Sequence, residues 1–328
     1  MNLTELAALT GVSVSTVSKA FSGSGEINNE TRERIFAVAR KNDCFDKYNK
    51  NKFGKKIIAV ICPEIVSEYY SAMTEQLMRE LSAHNAITSI SVTHFNRDIE
   101  KELYTYYSSY SKVDGIIIIN SGIKITDPSD IPTVAISPSK SSENIDSVHT
   151  NSKQAILDAV RHLKSLGHTK IGFAGEALTS SKMQEFKVAV RTAGLPVYDE
   201  YICVSNERFE RAGTDIAKRW IKEKNIPTAV IAAYDYIALG IIREFTKNGY
   251  LIPKDISVIG MDDIARVQYL STSLSSIHYP TAEICKEAVD LIMKKIDNQY
   301  YHARQKKILI SQYIPRESTG KAPELPDV

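Results

Sequence analysis

Residues 2–21 read NLTELAALTGVSVSTVSKAF, two short helical patterns around a glycine. Asn2 stands where it can cap the first helix, with Glu5 three residues on as the reciprocal partner. Leu3, Leu6, Ala7 and Leu9 give that helix an apolar face. Gly11 turns the chain, Val12 buries, and Ser13 caps a second helix ending near Phe21. Two helices of this length joined by a glycine turn have the pattern of the DNA-binding helix-turn-helix, which an ordinary helical hairpin shares. Beyond a polar loop, Asn28 caps a third helix over roughly 29–41, with Ile35, Phe36 and Ala39 turned inward. These three helices predict a compact all-α headpiece over residues 1–46.

Charge is distributed unevenly. Residues 1–56 hold ten Lys/Arg against six Asp/Glu, a net of +4, while the whole chain of 328 residues carries +2. The remainder is therefore slightly acidic. A basic N-terminal module on a near-neutral body fits contact with nucleic-acid phosphates, although a solvated basic face has the same composition. Five lysines without an acid in KYNKNKFGKK make 47–56 a basic linker or hinge.

From Ile57 the texture changes. Apolar runs at 57–62, 87–92, 115–120, 133–137, 170–175, 229–233 and 257–261 alternate with amphipathic helical stretches. Continuous β-branched runs fit strands buried on both faces, and β–α alternation predicts parallel sheets. Later runs at 275–278 and 307–314 bring the total to what two doubly wound lobes need. No GxGxxG, P-loop, HExxH or GxSxG is present, so the common nucleotide-binding and hydrolytic signatures are absent and no enzyme is expected. Cys44, Cys62, Cys203 and Cys285 are scattered without metal-ligand spacing, and His84, His94 and His149 have none either; no metal or cofactor is expected. His168, just before a strand and far from any nucleophile, reads as structural. Asp262–Asp263 follow a strand end, where open α/β sheets bind ligands, and serve as ligand acceptors or as a helix cap. Neither a signal sequence nor a run of about 18 apolar residues is found, so a cytoplasmic chain without membrane contact is expected.

Several segments resemble, in order, those of the lactose-repressor (LacI/GalR) family of transcription regulators. They are GVSVSTVSKAFSG with INNETRERIFAVARK, VDGIIII, IPTVAIS, HLKSLGHTKIGFAG, PTAVIAAYDYIALG, IPKDISVIGMDD and RESTG. The resemblance implies helix-turn-helix headpieces on a homodimer of two-lobed, periplasmic-binding-protein-like bodies spanning 57–320. It places the N-lobe at about 57–147 and 281–303, the C-lobe at about 150–278 and 307–320, and a tail at 321–328. The three chain crossings between lobes are expected near 145–150, 278–281 and 303–307. It further implies double-stranded operator DNA as partner, and a sugar-like small molecule in the interlobe cleft that alters operator affinity.

Family positions carry over residue by residue. Val14, Ser15 and Lys19 fall at the base-reading positions of the second helix, with Lys19 suited to guanine O6 and N7. Lysine there lacks arginine's bidentate fork. Ser13, Thr16, Ser18, Asn28 and Thr31 suit phosphate contacts. The linker lacks the family's proline and its minor-groove leucine wedge. Phe53 is the remaining apolar candidate, and Lys50 and Lys52, with Lys47, Lys55 and Lys56, supply phosphate contacts instead. In the cleft, Tyr69 and Tyr70 match stacking aromatics and Asp262 matches an acid that accepts from sugar hydroxyls. Ser137 and Asn151 stand where aspartates are usual, Lys182 replaces an arginine, Glu185 a glycine, and Tyr234 an asparagine, beside a retained Asp235. The stacking aromatic before Gly213 is either at Arg208 or at Phe209. Lost carboxylates and an added amine suggest an effector carrying its own negative charge near Lys182. A catabolite-control-type regulator answering a phosphocarrier protein is the alternative, and a sugar-binding receptor is the reading from another class.

Overall fold

A computed structural model describes residues 1–48, 54–125, 130–138, 145–298 and 303–323. Two compact units result: residues 1–57 with 85–87, and the remainder.

The first unit is built from α1 (Leu3–Thr10), α2 (Val14–Phe21), α3 (Asn29–Lys41) and a single turn, α4 (Phe45–Tyr48). Each cap read from sequence is made. Asn2 Oδ1 accepts from the Glu5 amide and Glu5 Oε2 accepts from the Asn2 amide, both at 2.9 Å. Gly11 turns at φ +68°, a left-handed conformation that favours glycine. Ser13 Oγ accepts from the Thr16 amide at 3.1 Å, and Asn28 Oδ1 from the Thr31 amide at 2.8 Å. Leu6, Ala7, Val17, Ala20, Ile35, Ala39 and Cys44 form the buried core. Phe21 closes it, with ring centroids of Phe36, Phe45 and Tyr48 at 5.1, 5.8 and 5.9 Å.

The linker expected at 47–56 is shorter than its sequence suggested. Lys47 and Tyr48 belong to α4, whose Tyr48 hydroxyl donates to the Met1 carbonyl at 2.9 Å, and Lys56 already opens a strand. Aromatic packing against Phe21, invisible in the lysine-rich composition, draws these residues into the headpiece. Lys50, Lys52 and Phe53 lie outside the described residues.

The chain continues with β1 (Lys56–Cys62), α5 (Glu68–Ala83), β2 (Ala86–Val92), α6 (Arg97–Thr105), β3 (Gly115–Ile119), β4 (Thr133–Ile136) and β5 (Asp146–Asn151), all in the second unit but for the first residues of β1 and β2. Then come α7 (Lys153–Ser165), β6 (Ile171–Glu176), α8 (Ser180–Thr192), β7 (Ile202–Ser205), α9 (Phe209–Glu223), β8 (Ala229–Ala232), α10 (Asp235–Lys247), β9 (Ser257–Asp262) and β10 (Ser275–His278). Helix α11 (Thr281–Asp297), β11 (Lys306–Ile310) and β12 (Gln312–Ile314) complete it. The strands form two six-stranded sheets, ordered β11-β5-β4-β3-β1-β2 and β12-β10-β9-β8-β6-β7. Pairing is parallel between β1 and β3 and between β6 and β8, and antiparallel between β10 and β12. Strands β3, β4 and β8 are buried throughout, as continuous apolar runs in a helix-covered parallel sheet must be.

The chain crosses between lobes three times, and two crossings differ from expectation. The first follows β5, which pairs with β4 as far as Val148 and with β11 as far as Asn151, so the N-lobe sheet runs past 147. The second lies between β10, which ends at His278 beside β9, and α11, which begins at Thr281. The third lies at Ser311 rather than 303–307, because β11 pairs with β5 while β12 pairs with β10. KILISQYI reads as one apolar run, yet its halves join different sheets about the buried Ser311. In the C-lobe, α9 and α10 pack at backbone distance through two glycines. A Cβ on Gly213 would stand 2.0 Å from the Ile237 carbonyl oxygen, and one on Gly240 2.1 Å from that of Glu210.

Candidate functional site

Val14, Ser15, Ser18 and Lys19 share one exposed face of α2, while Val17, Ala20 and Phe21 turn into the core. That division leaves the second helix free to enter a groove with four side chains. Ser13 stays exposed but spends its oxygen on the helix cap and on the Ser15 and Thr16 hydroxyls, both at 2.8 Å. Asn28 is likewise exposed while capping α3, and Thr16 and Thr31 are half-buried. Lys19 is not waiting unpaired: its ammonium pairs with Glu26 of the following loop, and the Lys19 ammonium holds the Glu26 carboxyl below its usual range.

The two lobes of the second unit enclose a cavity of about 740 Å³. It lies at the carboxyl ends of the parallel strands, where loops diverge and side chains converge. Non-glycine residues in the left-handed region cluster there: Phe95 (φ +59°), Asn120 (+53°), Ser137 (+47°), Phe209 (+57°) and Asp262 (+100°). Such backbone costs about 1–3 kcal/mol per residue and persists where the surroundings hold it, which marks this rim as a candidate site.

Of the cleft residues read from sequence, Tyr69, Tyr70, Ser137, Lys182, Phe209, Tyr234 and Asp262 line the cavity, and two do not. Asn151 instead accepts from the Lys153 amide at 3.2 Å, at the start of α7. Asp235 is fully buried beneath the cleft, accepting from Ser276 Oγ at 2.6 Å and the Ile264 amide at 2.8 Å. It fastens α10 to β10 and to the turn after β9, a structural task that its place beside Tyr234 concealed.

The two adjacent acids divide their work. Asp263 binds Arg316 at 2.6 Å and His278 at 3.0 Å, so it ties down the RESTG segment. Asp262 faces the cavity, where Lys182 Nζ lies 3.5 Å from its Oδ1 and 2.8 Å from the Ala233 carbonyl oxygen. Burial pushes the Asp262 carboxyl up to about 6 against the pull of Lys182. Burial alone would lower Lys182; Asp262, with Tyr279 and Tyr70, more than offsets it and keeps the ammonium protonated.

Three further polar or charged groups escaped the sequence reading. Glu64, just past the end of β1, accepts from Arg208 Nη1 at 2.8 Å across the cleft. Glu176, at the end of β6, accepts from Arg208 Nε at 3.3 Å and from the Tyr234 hydroxyl at 3.2 Å. Asn120 donates to the Tyr70 hydroxyl at 3.3 Å. Glu185, read from sequence in place of a glycine, also lines the cavity and accepts from Ser152 Oγ at 2.7 Å. For Glu64, Glu176 and Asn120 the position at strand ends was the available signal. Arg208 and Phe209, the two alternatives for that position, both line the cavity. At the rim Arg266 binds Glu68 at 2.8 Å, a second tie between lobes. Among the described residues no group of three His, Cys, Asp or Glu could hold a metal ion, and no helix is long and apolar enough to cross a membrane.

Residues 2–43 match the bacterial regulatory proteins of the lacI family, and residues 160–319 match the periplasmic binding protein-like domain. The transcriptional repressor CytR of Escherichia coli K12 is 26% identical over 324 residues, covering 95% of this chain and 94% of CytR. A LacI family regulator from Enterococcus faecium with bound ribose superposes at a TM-score of 0.71 with 24% identity, covering 81% of this chain and 99% of that one. The lac repressor dimer bound to operator superposes at 0.72 with 19% identity over 98% of this chain and 99% of that one; these two likenesses concern the fold. The chain thus joins a lacI-family DNA-binding domain to a periplasmic-binding-protein-like domain, and the relatives it resembles over nearly its whole length are named as repressors of that kind.

Proposed function

We propose that the chain is a sequence-specific transcriptional repressor that reads operator half-sites as a homodimer and is controlled by a neutral, hydroxyl-rich effector of the saccharide class. The observation that carries the effector class is the charge state of the cleft. Lys182 already faces Asp262, and Arg208 already faces Glu64 and Glu176. Neither cation has charge to spare for an anion, which counts against the negatively charged effector that the sequence suggested; Arg97 stands exposed at the edge. Carboxylates, Asn120 and tyrosine hydroxyls beside aromatic faces instead suit sugar hydroxyls and the apolar face of a sugar ring. The ribose-bound relative from Enterococcus faecium agrees with that class.

On DNA, Val14, Ser15, Ser18 and Lys19 read base edges, with Lys19 leaving Glu26 for guanine. Ser13, Thr16, Asn28 and Thr31 meet phosphates, as do Lys50 and Lys52 if the linker follows the backbone; Phe53 remains the candidate wedge. The lac repressor dimer on its operator agrees with a two-fold arrangement. Isothermal titration with ribose, cellobiose and their phosphate esters tests the effector class. Saturable binding of a neutral sugar, tighter than that of its phosphate, is expected. Tighter binding of the phosphate defeats the reading, and a cleft that ignores all of them points to a protein co-effector such as a phosphocarrier.

A further inference from the structure

The stacking position before Gly213 falls on Arg208 or on Phe209, and the geometry gives Arg208 a different part. The Arg208 guanidinium carbon lies 4.8 Å from the Phe95 ring centroid and 4.5 Å from that of Phe209. Its Nη1 and Nη2 reach the two oxygens of Glu64 at 2.8 and 3.4 Å, and Nε reaches Glu176 at 3.3 Å. Each lobe thus gives one ring and one carboxylate: Phe95 and Glu64 from the N-lobe, Phe209 and Glu176 from the C-lobe. The Tyr234 hydroxyl braces the arrangement, donating to Glu176 and accepting from the Phe209 amide at 3.0 Å. Both rings sit on left-handed backbone, so the chain bends sharply on each side to present them.

We propose that Phe95, Phe209, Glu64 and Glu176 form a slot for a planar guanidinium-type cation, that Arg208 is its resident occupant, and that this occupancy latches the lobes shut without an effector. The inference rests on the reading of the cleft as an effector site and adds what governs its closure. A flat, weakly hydrated cation between two rings with carboxylate acceptors is the arrangement guanidinium favours. The carboxylates are nearly inaccessible, with side-chain exposures of 8% for Glu64 and 4% for Glu176. Removing the cation leaves them buried and unpaired, a costly state that is relieved by parting the lobes so that water reaches them, or by taking in another cation. Arg208 also sets specificity. It covers both phenyl faces, so a ring of the effector cannot stack there and is confined to the part of the cavity around Tyr70, Asn120, Lys182 and Asp262.

The test uses full-length Arg208→Ala with methylguanidinium at non-denaturing, millimolar concentration. Titration calorimetry should show saturable binding to the variant, roughly tenfold or more tighter than to the unaltered chain. Small-angle scattering should show the variant opened and methylguanidinium returning it to the closed dimensions; neutral urea at equal concentration should do neither. No binding by the variant, equal binding by the unaltered chain, or a variant that stays closed overturns the slot. Glu64→Gln, which loses only the interlobe carboxylate, decides the matter if Arg208→Ala does not fold. Opened lobes that methylguanidinium cannot close support the latch, and closed lobes overturn it. Saccharide titration of the unaltered chain is scored separately: a chain deaf to saccharides whose Arg208→Ala variant takes methylguanidinium defeats the effector reading and supports the slot.

Discussion

Phe21→Ala should unfold the headpiece and leave the body intact. Phe21 is 4% exposed and touches three aromatic rings within 6 Å, so it carries much of the core of a very small unit. Replacing a buried phenylalanine by alanine costs about 3–5 kcal/mol. At roughly 0.05–0.15 kcal/mol per residue, the headpiece through Tyr48 holds only about 2–7 kcal/mol in total. The substitution therefore removes most of its stability, lowering the folded-to-unfolded ratio by about a hundredfold or more. Trypsin reads this directly, because Arg32, Arg34, Arg40 and Lys41 lie on α3 and become cleavable when it unfolds. The body reports separately through Trp220, the single tryptophan, which is 1% exposed in the C-lobe core. The expected result is rapid cleavage within residues 32–41, loss of DNA retention and an unchanged Trp220 melting transition. Leu9→Ala, at a side chain 58% exposed, should leave all three readings as they are. A Phe21→Ala chain whose α3 resists trypsin as the unaltered chain does would refute the reasoning.

Three further outcomes are expected. The Asp262 carboxyl, raised to about 6, should titrate near that value in a carbon-13 NMR experiment; a midpoint near 4 would contradict its burial. Because the folded pKa is raised, the group's favourable contribution is present below about 4 and is lost as pH rises through about 6, so Asp262→Asn should gain stability relative to the unaltered chain across that interval. Gly240→Ala should destabilise the C-lobe by about 3 kcal/mol or more, since the new methyl group meets a carbonyl oxygen on α9 at 2.1 Å; a melt within about 1 kcal/mol of the original would show that the helices part freely. Glu26→Gln should free Lys19 and strengthen binding to arbitrary duplex with a steeper salt dependence, and an unchanged salt slope in fluorescence anisotropy would rule Glu26 out as its competitor.

Much of the architecture was legible because it rests on local rules. The caps at Asn2, Ser13 and Asn28, the turn at Gly11 and the apolar runs of β3 and β8 each depend on a few neighbouring residues. What escaped depends on distant partners. Strand β5, DSVHTN, lacks an apolar run, because its identity comes from β4 and β11 on either side. The switch at Ser311 is hidden because both halves of KILISQYI are apolar enough for either sheet. The cleft shows the same limit. Family spacing pointed to Tyr69, Tyr70, Lys182 and Asp262, all of which line the cavity, yet it could not separate Asp262 from the buried Asp235. Nor could it foresee that Arg208 reaches Glu64, 144 positions away in sequence.

Selection of duplexes from a random pool by the full-length chain tests the central claim most directly, with Lys19→Ala run beside it. The account predicts enrichment of a two-fold symmetric site, and loss of preference at one guanine per half-site in Lys19→Ala, worth about 1–3 kcal/mol of discrimination. A pool that stays random, or a variant that enriches the same site with the same guanine, would contradict it.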